Sequence, residues 1–268
     1  MEWFEAIILG LVQGLTEFLP VSSSGHLEIG KVLLGVEATD DLMFTTMVHA
    51  ATVLSTIVVF RKQILDLFKG LFKFKYNDQT DYVFKIALSC VPIMIVGLWF
   101  KDDVEALFGS IKVVGFALLL TSALLFFSDL ASRRDKVTNP ASESRNGISY
   151  WQAFVVGLGQ ALAVIPGLSR SGTTISTGLI CGVRRDVMAQ FSFLMVLIPI
   201  LGESFLELVG GEFSASSVGA LPLVLGFLSA FVSGLFACKV MIALVKKAKL
   251  SWFAIYCLIA AAAIFIFA

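Results

Sequence analysis

Apolar residues run along this chain in long blocks separated by short polar or charged stretches, and the length of each block limits what it can become. Six blocks are long enough to cross a hydrocarbon core of about 30 Å, which takes about 20 helical residues. They lie at approximately 42–60, 82–100, 111–128, 187–209, 219–245 and 251–268. Two further stretches, 1–35 and 148–182, are apolar but interrupted. Each passes from a helix-like segment into a knot of proline, serine and glycine, "LPVSSSGH" or "IPGLSRSGTT", and resumes as a second short apolar segment. Proline lacks the N–H that a helix needs and glycine frees the backbone, so each stretch is predicted to be a re-entrant helical hairpin instead of one span. The expected fold class is therefore an all-α integral membrane protein with six transmembrane helices and two re-entrant hairpins.

The two interrupted stretches align without a gap at an offset of 147 residues, the distance from Gly10 to Gly157. Gly10, Leu11, Gln13, Leu15, Ser22, Ser24 and Gly25 meet identical residues at Gly157, Leu158, Gln160, Leu162, Ser169, Ser171 and Gly172. Each hairpin precedes three predicted spans, which points to an internal duplication. One membrane domain, 1–268, is expected, with one half at about 1–130 and the other at about 148–268.

Charge turns this pattern into a topology. Basic residues gather at 61–75, at 133–136 with Arg145, at Arg184 and Arg185, and at 246–249. Residues 101–105, Glu203, Glu207 and Glu212 mark acidic ends. The positive-inside rule makes the first group cytoplasmic and the second external, and six spans then place the first hairpin outside and the second inside. The halves are predicted to be inverted copies. Inverted repeats with broken helices bring their irregular segments together near the midplane, around a polar cavity.

Composition agrees with a polytopic membrane protein: 57% of the 268 residues are hydrophobic, 24 are phenylalanine and 15% are charged, with a mean hydropathy of +0.90. A formal net charge of zero supplies no basic field, and the motifs of nucleic-acid modules are absent, so no nucleic-acid partner is expected. Glu2 and Glu5 stand where a cleaved signal peptide would be basic, so the N-terminus reads as part of the mature chain. Cys90, Cys181, Cys238 and Cys257 are scattered singly through apolar segments and read as packing residues.

The two knots carry the candidate chemistry. An arginine at membrane depth costs several kcal/mol, about 2.5–3.5 on insertion scales, so Arg170 needs a partner or a task. The other hairpin offers Gln13, Glu17, Ser23 and His26. Arginine, Gly/Ser runs that form an anion nest, and the hydroxyls of Ser22, Ser23, Ser24, Ser169, Ser171, Thr173 and Thr174 suit a phosphate or pyrophosphate. Gln13 and Glu17 share a helical face and can hold Mg²⁺ or Ca²⁺ bridging to phosphate oxygens. Ser23 and His26 permit either a serine nucleophile with a histidine base or a histidine acting on water or on phosphorus. Taken singly, Glu17 also reads as an interfacial carboxylate and the Ser/Gly runs as helix-packing surfaces. His49, in a stripe with Thr45, Thr52 and Thr56, reads as a polar face lining the interior, and no chemical role is expected of it.

At these residues the sequence resembles the undecaprenyl pyrophosphate phosphatases associated with bacitracin resistance. The resemblance rests on "QGLTEFLPVSSSGH" (13–26) and "PGLSRSGTT" (166–174) and extends along essentially the whole chain. It implies hydrolysis of the C55 isoprenoid diphosphate to the monophosphate plus phosphate, recycling the carrier lipid for peptidoglycan synthesis. Carried over by position, Glu17 with Gln13 would serve the divalent metal, Mg²⁺ or Ca²⁺. Ser23 and His26 would lie at the reacting phosphorus. Arg170 with Ser169, Ser171 and Thr174 would grip the diphosphate. Many members have glutamate at the position of Gln13, and the amide keeps an oxygen but removes a charge. The resemblance places the protein in the bacterial cytoplasmic (inner) membrane among membrane lipids, with its site open to the external, periplasmic side. A monomer and a homodimer are both compatible with the sequence. The competing reading is a transporter or flippase for a phosphorylated lipid or anion, which needs binding and alternating access but neither nucleophile nor base.

Overall fold

In a computed structural model, the structure describes residues 1–36, 41–100, 103–104, 106–107, 110–134, 144–202, 218–247 and 249–267. Among them the regular structure is helical: α1 (Trp3–Thr16), α2 (Ser23–Leu34), α3 (Asp41–Val59), α4 (Arg61–Leu71), α5 (Asp78–Trp99), α6 (Ile111–Arg134), α7 (Tyr150–Leu162), α8 (Arg170–Ile180), α9 (Arg185–Met195), α10 (Ala220–Lys247) and α11 (Ser251–Phe267). A further helical piece continues α9 over 197–202. The acidic ends expected at Glu203, Glu207 and Glu212, residues 101, 102 and 105, Asp135 and Lys136, and the tail of the fourth span at 203–209 lie outside the described residues.

Local chemistry fixes the helix ends. The Glu2 side chain accepts from the backbone of Glu5, whose own carboxylate accepts from the Glu2 N–H at 2.6 Å, closing a capping box on α1. Ser149 and Gln152 do the same for α7, and Asn77 caps α5 by accepting from the Thr80 N–H at 2.8 Å. Gly35, at φ 69°, ends α2 in the left-handed conformation.

Four helices, α5, α6, α9 with its continuation to Gly202, and α10, are long and apolar enough to cross a membrane. The chain through α3 and α4 makes a fifth if the pair is one bent span. Within the basic stretch at 61–75, residues 61–71 are a helix turned 74° from α3. The outward faces carry Phe126, Phe127, Trp151, Phe236 and Ile266 in the open, a surface that suits lipid and not water.

The most extensive interfaces pair α1 with α10, α6 with α11, α3 with α10, and α5 with α7. Without a hydrophobic drive between helices in lipid, close approach depends on small residues. A side chain on Gly10 would collide with the Gly226 carbonyl of α10, and one on Gly157 with the Ser89 backbone of α5. Buried ion pairs pin the helix ends. Lys85 donates to Asp81 at 2.6 Å and to the Arg145 carbonyl at 2.7 Å. Arg185 donates to Asp129 at 2.6 Å, and Ser251 also donates to that carboxylate.

Candidate active site

The two Pro/Ser/Gly knots meet at the centre of the fold. Ser24 Oγ accepts from the Gly167 N–H at 3.4 Å, and Ser171 Oγ donates to the Leu19 carbonyl at 3.1 Å. Their internal hydrogen bonds repeat each other. Ser22 caps α2 by accepting from Gly25 N–H at 3.2 Å, and Ser169 caps α8 by accepting from Gly172 N–H at 3.1 Å. Ser22 and Ser24 hydroxyls lie 3.3 Å apart, and Ser169 and Ser171 hydroxyls 3.4 Å apart. Two helix N-termini are thereby brought to one place, each favouring negative charge through its unpaired amides and dipole.

Glu17 follows the last turn of α1 and is 11% exposed. Its Oε2 accepts from Ser23 Oγ at 2.6 Å and from Gln13 Nε2 at 2.8 Å. Arg170 opens α8, and the charge of its guanidinium acts on Glu17 without a direct ion pair. Among the described residues that guanidinium has no hydrogen-bond partner, so its five donors remain for something in the cleft.

Both residues line a cleft with about 420 Å³ of empty space, open solvent included. At its polar end are Glu17, Arg170, Ser171, Thr174, Ser192, Thr52 and Thr56; Phe18 just after α1, Val53 on α3, and Phe193, Val196, Leu197 and Ile200 on α9 and its continuation form an apolar lane. A charged head and an apolar body thus have adjoining places. Thr174 Oγ1 lies 2.6 Å from Ser192 Oγ and donates into its own helix, to the Arg170 carbonyl at 2.9 Å or the Ser171 carbonyl at 3.3 Å.

Other expected site residues stand apart from the cleft. Ser22 and Ser169 are buried as helix caps, and Ser24 holds the facing turn. His26 is one helical turn beyond Ser23, yet no hydrogen bond joins them among the described residues. Its Nδ1 donates to the Ser22 carbonyl at 2.7 Å, which leaves Nε2 to accept from the Tyr256 hydroxyl at 2.6 Å, with the two rings stacked. The histidine beside Glu17 is His49. Its Nδ1 donates to the Thr45 carbonyl at 2.9 Å, and its Nε2 lies 3.8 Å from Glu17 Oε2. The polar stripe of α3 announced this face, although sequence reasoning gave His49 no chemical part. Ser192, a single hydroxyl in an apolar helix, carried no signal.

The donor set accommodates a hard cation in part. Gln13 is fully buried and its amide oxygen has no partner among the described residues, while Glu17 supplies a carboxylate next to it. Among the described residues no three His, Cys, Asp or Glu side chains gather to hold a metal. Mg²⁺ or Ca²⁺ here would take further oxygens from substrate and water, as Mg²⁺ commonly does.

Comparison with known proteins finds a family and close relatives for the chain. The family model described as "Bacitracin resistance protein BacA" matches residues 6–263. A protein of Bacteroides fragilis named undecaprenyl-diphosphatase is 56% identical over 263 residues, 97% of this chain and 96% of its own. A second, from Parabacteroides distasonis, is 57% identical over 264 residues, 97% and 96% of the two chains. A more distant one of the same name, from Halothermothrix orenii, is 37% identical over 273 residues, 100% and 99%.

Proposed function

The chain belongs to the bacitracin resistance family BacA, and we propose that it is an undecaprenyl-diphosphatase that uses Ser23 as nucleophile and Glu17 as the base that deprotonates it. The observation that carries the reading is the 2.6 Å hydrogen bond from Ser23 Oγ to Glu17 Oε2 at the mouth of two helix N-termini. Substrate enters with its diphosphate at the polar end of the cleft and its isoprenoid along Phe18, Phe193, Val196 and Ile200. Arg170 grips phosphate oxygens with its planar fork, and Ser171 and Thr174 complete the cradle by turning their hydroxyls from the backbone carbonyls they now donate to.

As Ser23 Oγ bonds to the terminal phosphorus, the anhydride P–O bond breaks and its electron pair leaves with the lipid monophosphate. The Ser23 proton passes to Glu17. Water then bonds to phosphorus, the Oγ–P bond breaks, and Glu17 returns its proton to Ser23. Taking the proton from water would fall to His26 Nε2, one turn from Ser23, once the Tyr256 hydroxyl that now donates to it turns away. A divalent cation at Gln13 and Glu17 would neutralise diphosphate charge.

The same proposal covers the arrangement in the membrane. Helices α1, α2, α7 and α8 have 14, 12, 13 and 11 residues, and each spans at most about 21 Å, short of a bilayer core. We read them as two re-entrant hairpins, followed in each half, about 1–130 and 148–268, by three spans. The mirrored caps, and the crossed packing of α1 on α10 and α7 on α5, support an inverted repeat. The basic ends then face the cytoplasm, and the cleft opens to the periplasmic side of the inner membrane.

The test is phosphate release from a polyprenyl diphosphate by purified protein in detergent, where no compartments exist. Wild type should release phosphate and Ser23→Ala should lose at least about a hundredfold. Near-normal release by a folded Ser23→Ala protein would remove serine from the mechanism. Binding without release by wild type would leave the transporter reading.

A further inference from the structure

Helix α4 has three faces, and only one is used by the fold. Ile64 and Leu67 turn inward onto the core. Leu65, Phe68 and Phe72, spaced i, i+3 and i+7, form a stripe that is more than half exposed, and Phe74 beyond the helix end is 89% exposed. Lys62 and Lys69, seven residues apart, lie on the adjoining face, and Lys73 follows just past the helix end; all three are exposed. Among the described residues none of these three lysines has an ion-paired carboxylate; Asp66, also exposed, is the only acidic side chain on the helix.

The orientation of α4 is set firmly. It leaves α3 at 74°, so it runs across the end of an apolar helix instead of continuing it. Phe60, at the bend, is 3% exposed and packs on Phe193, which in turn packs on Phe18 beside Glu17. At the far end Asn77 Nδ2 donates to the Gly70 carbonyl at 2.8 Å, and Gly70 is closed over by Gln79. The uncovered faces are thus presented by a braced helix.

We infer that α4 is a docking surface for the anionic headgroups of phospholipids in the leaflet it borders. A helix lying in the plane of the interface inserts its apolar stripe among the upper acyl carbons while flanking lysines extend their stems to the phosphates. Leu65, Phe68 and Phe72 supply the stripe, and Lys62, Lys69 and Lys73 supply the charge. Because the stripe and the cations adjoin instead of opposing one another, one lipid layer satisfies both. Cationic side chains near an anionic surface each add attraction that falls off within a Debye length, so the binding is selective for headgroup charge and weakened by salt.

The experiment measures lipid retained by the full-length purified chain, using native mass spectrometry during titration with phosphatidylglycerol or phosphatidylcholine. Wild type should retain phosphatidylglycerol in preference, and the preference should fall steeply as salt rises from about 50 to about 500 mM. The triple variant Lys62→Gln/Lys69→Gln/Lys73→Gln should lose at least about tenfold in apparent phosphatidylglycerol affinity, with phosphatidylcholine unchanged. Lys246→Gln/Lys249→Gln, at another basic end, should leave the preference in place. Equal retention by the triple variant, an equal loss in the Lys246/Lys249 variant, or a wild-type preference indifferent to salt would each overturn the inference. The salt titration needs no variant, so a preference indifferent to salt overturns the inference even if the triple variant folds poorly, and the Lys246/Lys249 variant then tells α4 from the other basic end.

Discussion

His49 Nε2 faces Glu17 Oε2 at 3.8 Å, and among the described residues the His49 ring is held by one hydrogen bond, from its Nδ1 to the Thr45 carbonyl. His26, in contrast, is tied at both nitrogens, to Ser22 and Tyr256. With Nδ1 donating to Thr45, only the imidazolium presents an Nε2 N–H to Glu17, and in that form it would steady the carboxylate proposed to take the Ser23 proton without touching the serine. At 3.8 Å the contact is longer than a hydrogen bond, so removing it should cost less than a full charge-assisted bond, roughly 1–1.5 kcal/mol or five- to tenfold in rate. His49→Ala is therefore expected to lower kcat about five- to tenfold with KM little changed. His49→Gln, whose amide can donate toward Glu17, should recover most of it. Steady-state kinetics on the two proteins checks this, and wild-type kcat in His49→Ala would return His49 to a merely polar lining.

Much of the fold was legible because apolar length and helix breaking are local properties. The proline and glycine of "IPGLSRSGTT" separate α7 from α8 just where the sequence places a knot, and Gln13 and Glu17 meet as four-residue neighbours must. Helix α4 escaped because its apolar positions are interleaved with lysines, so that 61–75 reads as charge before it reads as periodicity. The partners of the two histidines were not legible at all. Rotation of α2 and α3 about their axes decides which ring meets Glu17, and that rotation is fixed by packing across the whole chain, through contacts such as Tyr256 on His26.

Divalent metal is expected to be required, because one arginine cannot neutralise a diphosphate and the buried Gln13 oxygen has no other partner. Activity should vanish on treatment with a chelator and return with Mg²⁺ or Ca²⁺. Glu17→Gln should weaken binding of the metal itself, read by calorimetry with Mn²⁺ as the probe. Full activity after exhaustive metal removal would transfer the whole task of charge neutralisation to Arg170 and the helix ends.

Gly167 and Gly35 both have positive φ, 89° and 69°, but only one of them is enclosed. A Cβ at Gly167 would sit 2.6 Å from the Val114 Cα and 2.9 Å from its carbonyl oxygen, whereas at Gly35 nothing lies within 4 Å. Gly35→Ala should therefore cost only the left-handed conformation, about 1 kcal/mol. Gly167→Ala should cost roughly 2–4 kcal/mol, through the same conformation plus displacement of α6 backbone. Thermal unfolding in detergent should show a clearly larger drop for Gly167→Ala, and equal drops would mean the turn has room to relax.

Arg170 poses the sharpest choice between structure and chemistry. Were it a counter-ion for Glu17, a point charge would serve, and lysine would substitute well. The side chain instead lines the cleft with no ion pair to Glu17, and the carboxylate is already occupied by Ser23 and Gln13. Its fork is thus available for two phosphate oxygens, and lysine would lose one of those bonds and misplace the other. One charge-assisted bond is worth roughly 1.5–3 kcal/mol, about ten- to a hundredfold when it strengthens in the transition state. Arg170→Lys is expected to fold normally and lose at least about tenfold in kcat/KM for a polyprenyl diphosphate, with Arg170→Ala worse. Phosphate release and thermal stability measured on the same preparations separate the cases. Wild-type activity in the lysine variant would show that charge alone suffices, and unfolding of both variants would make Arg170 a brace between the two knots.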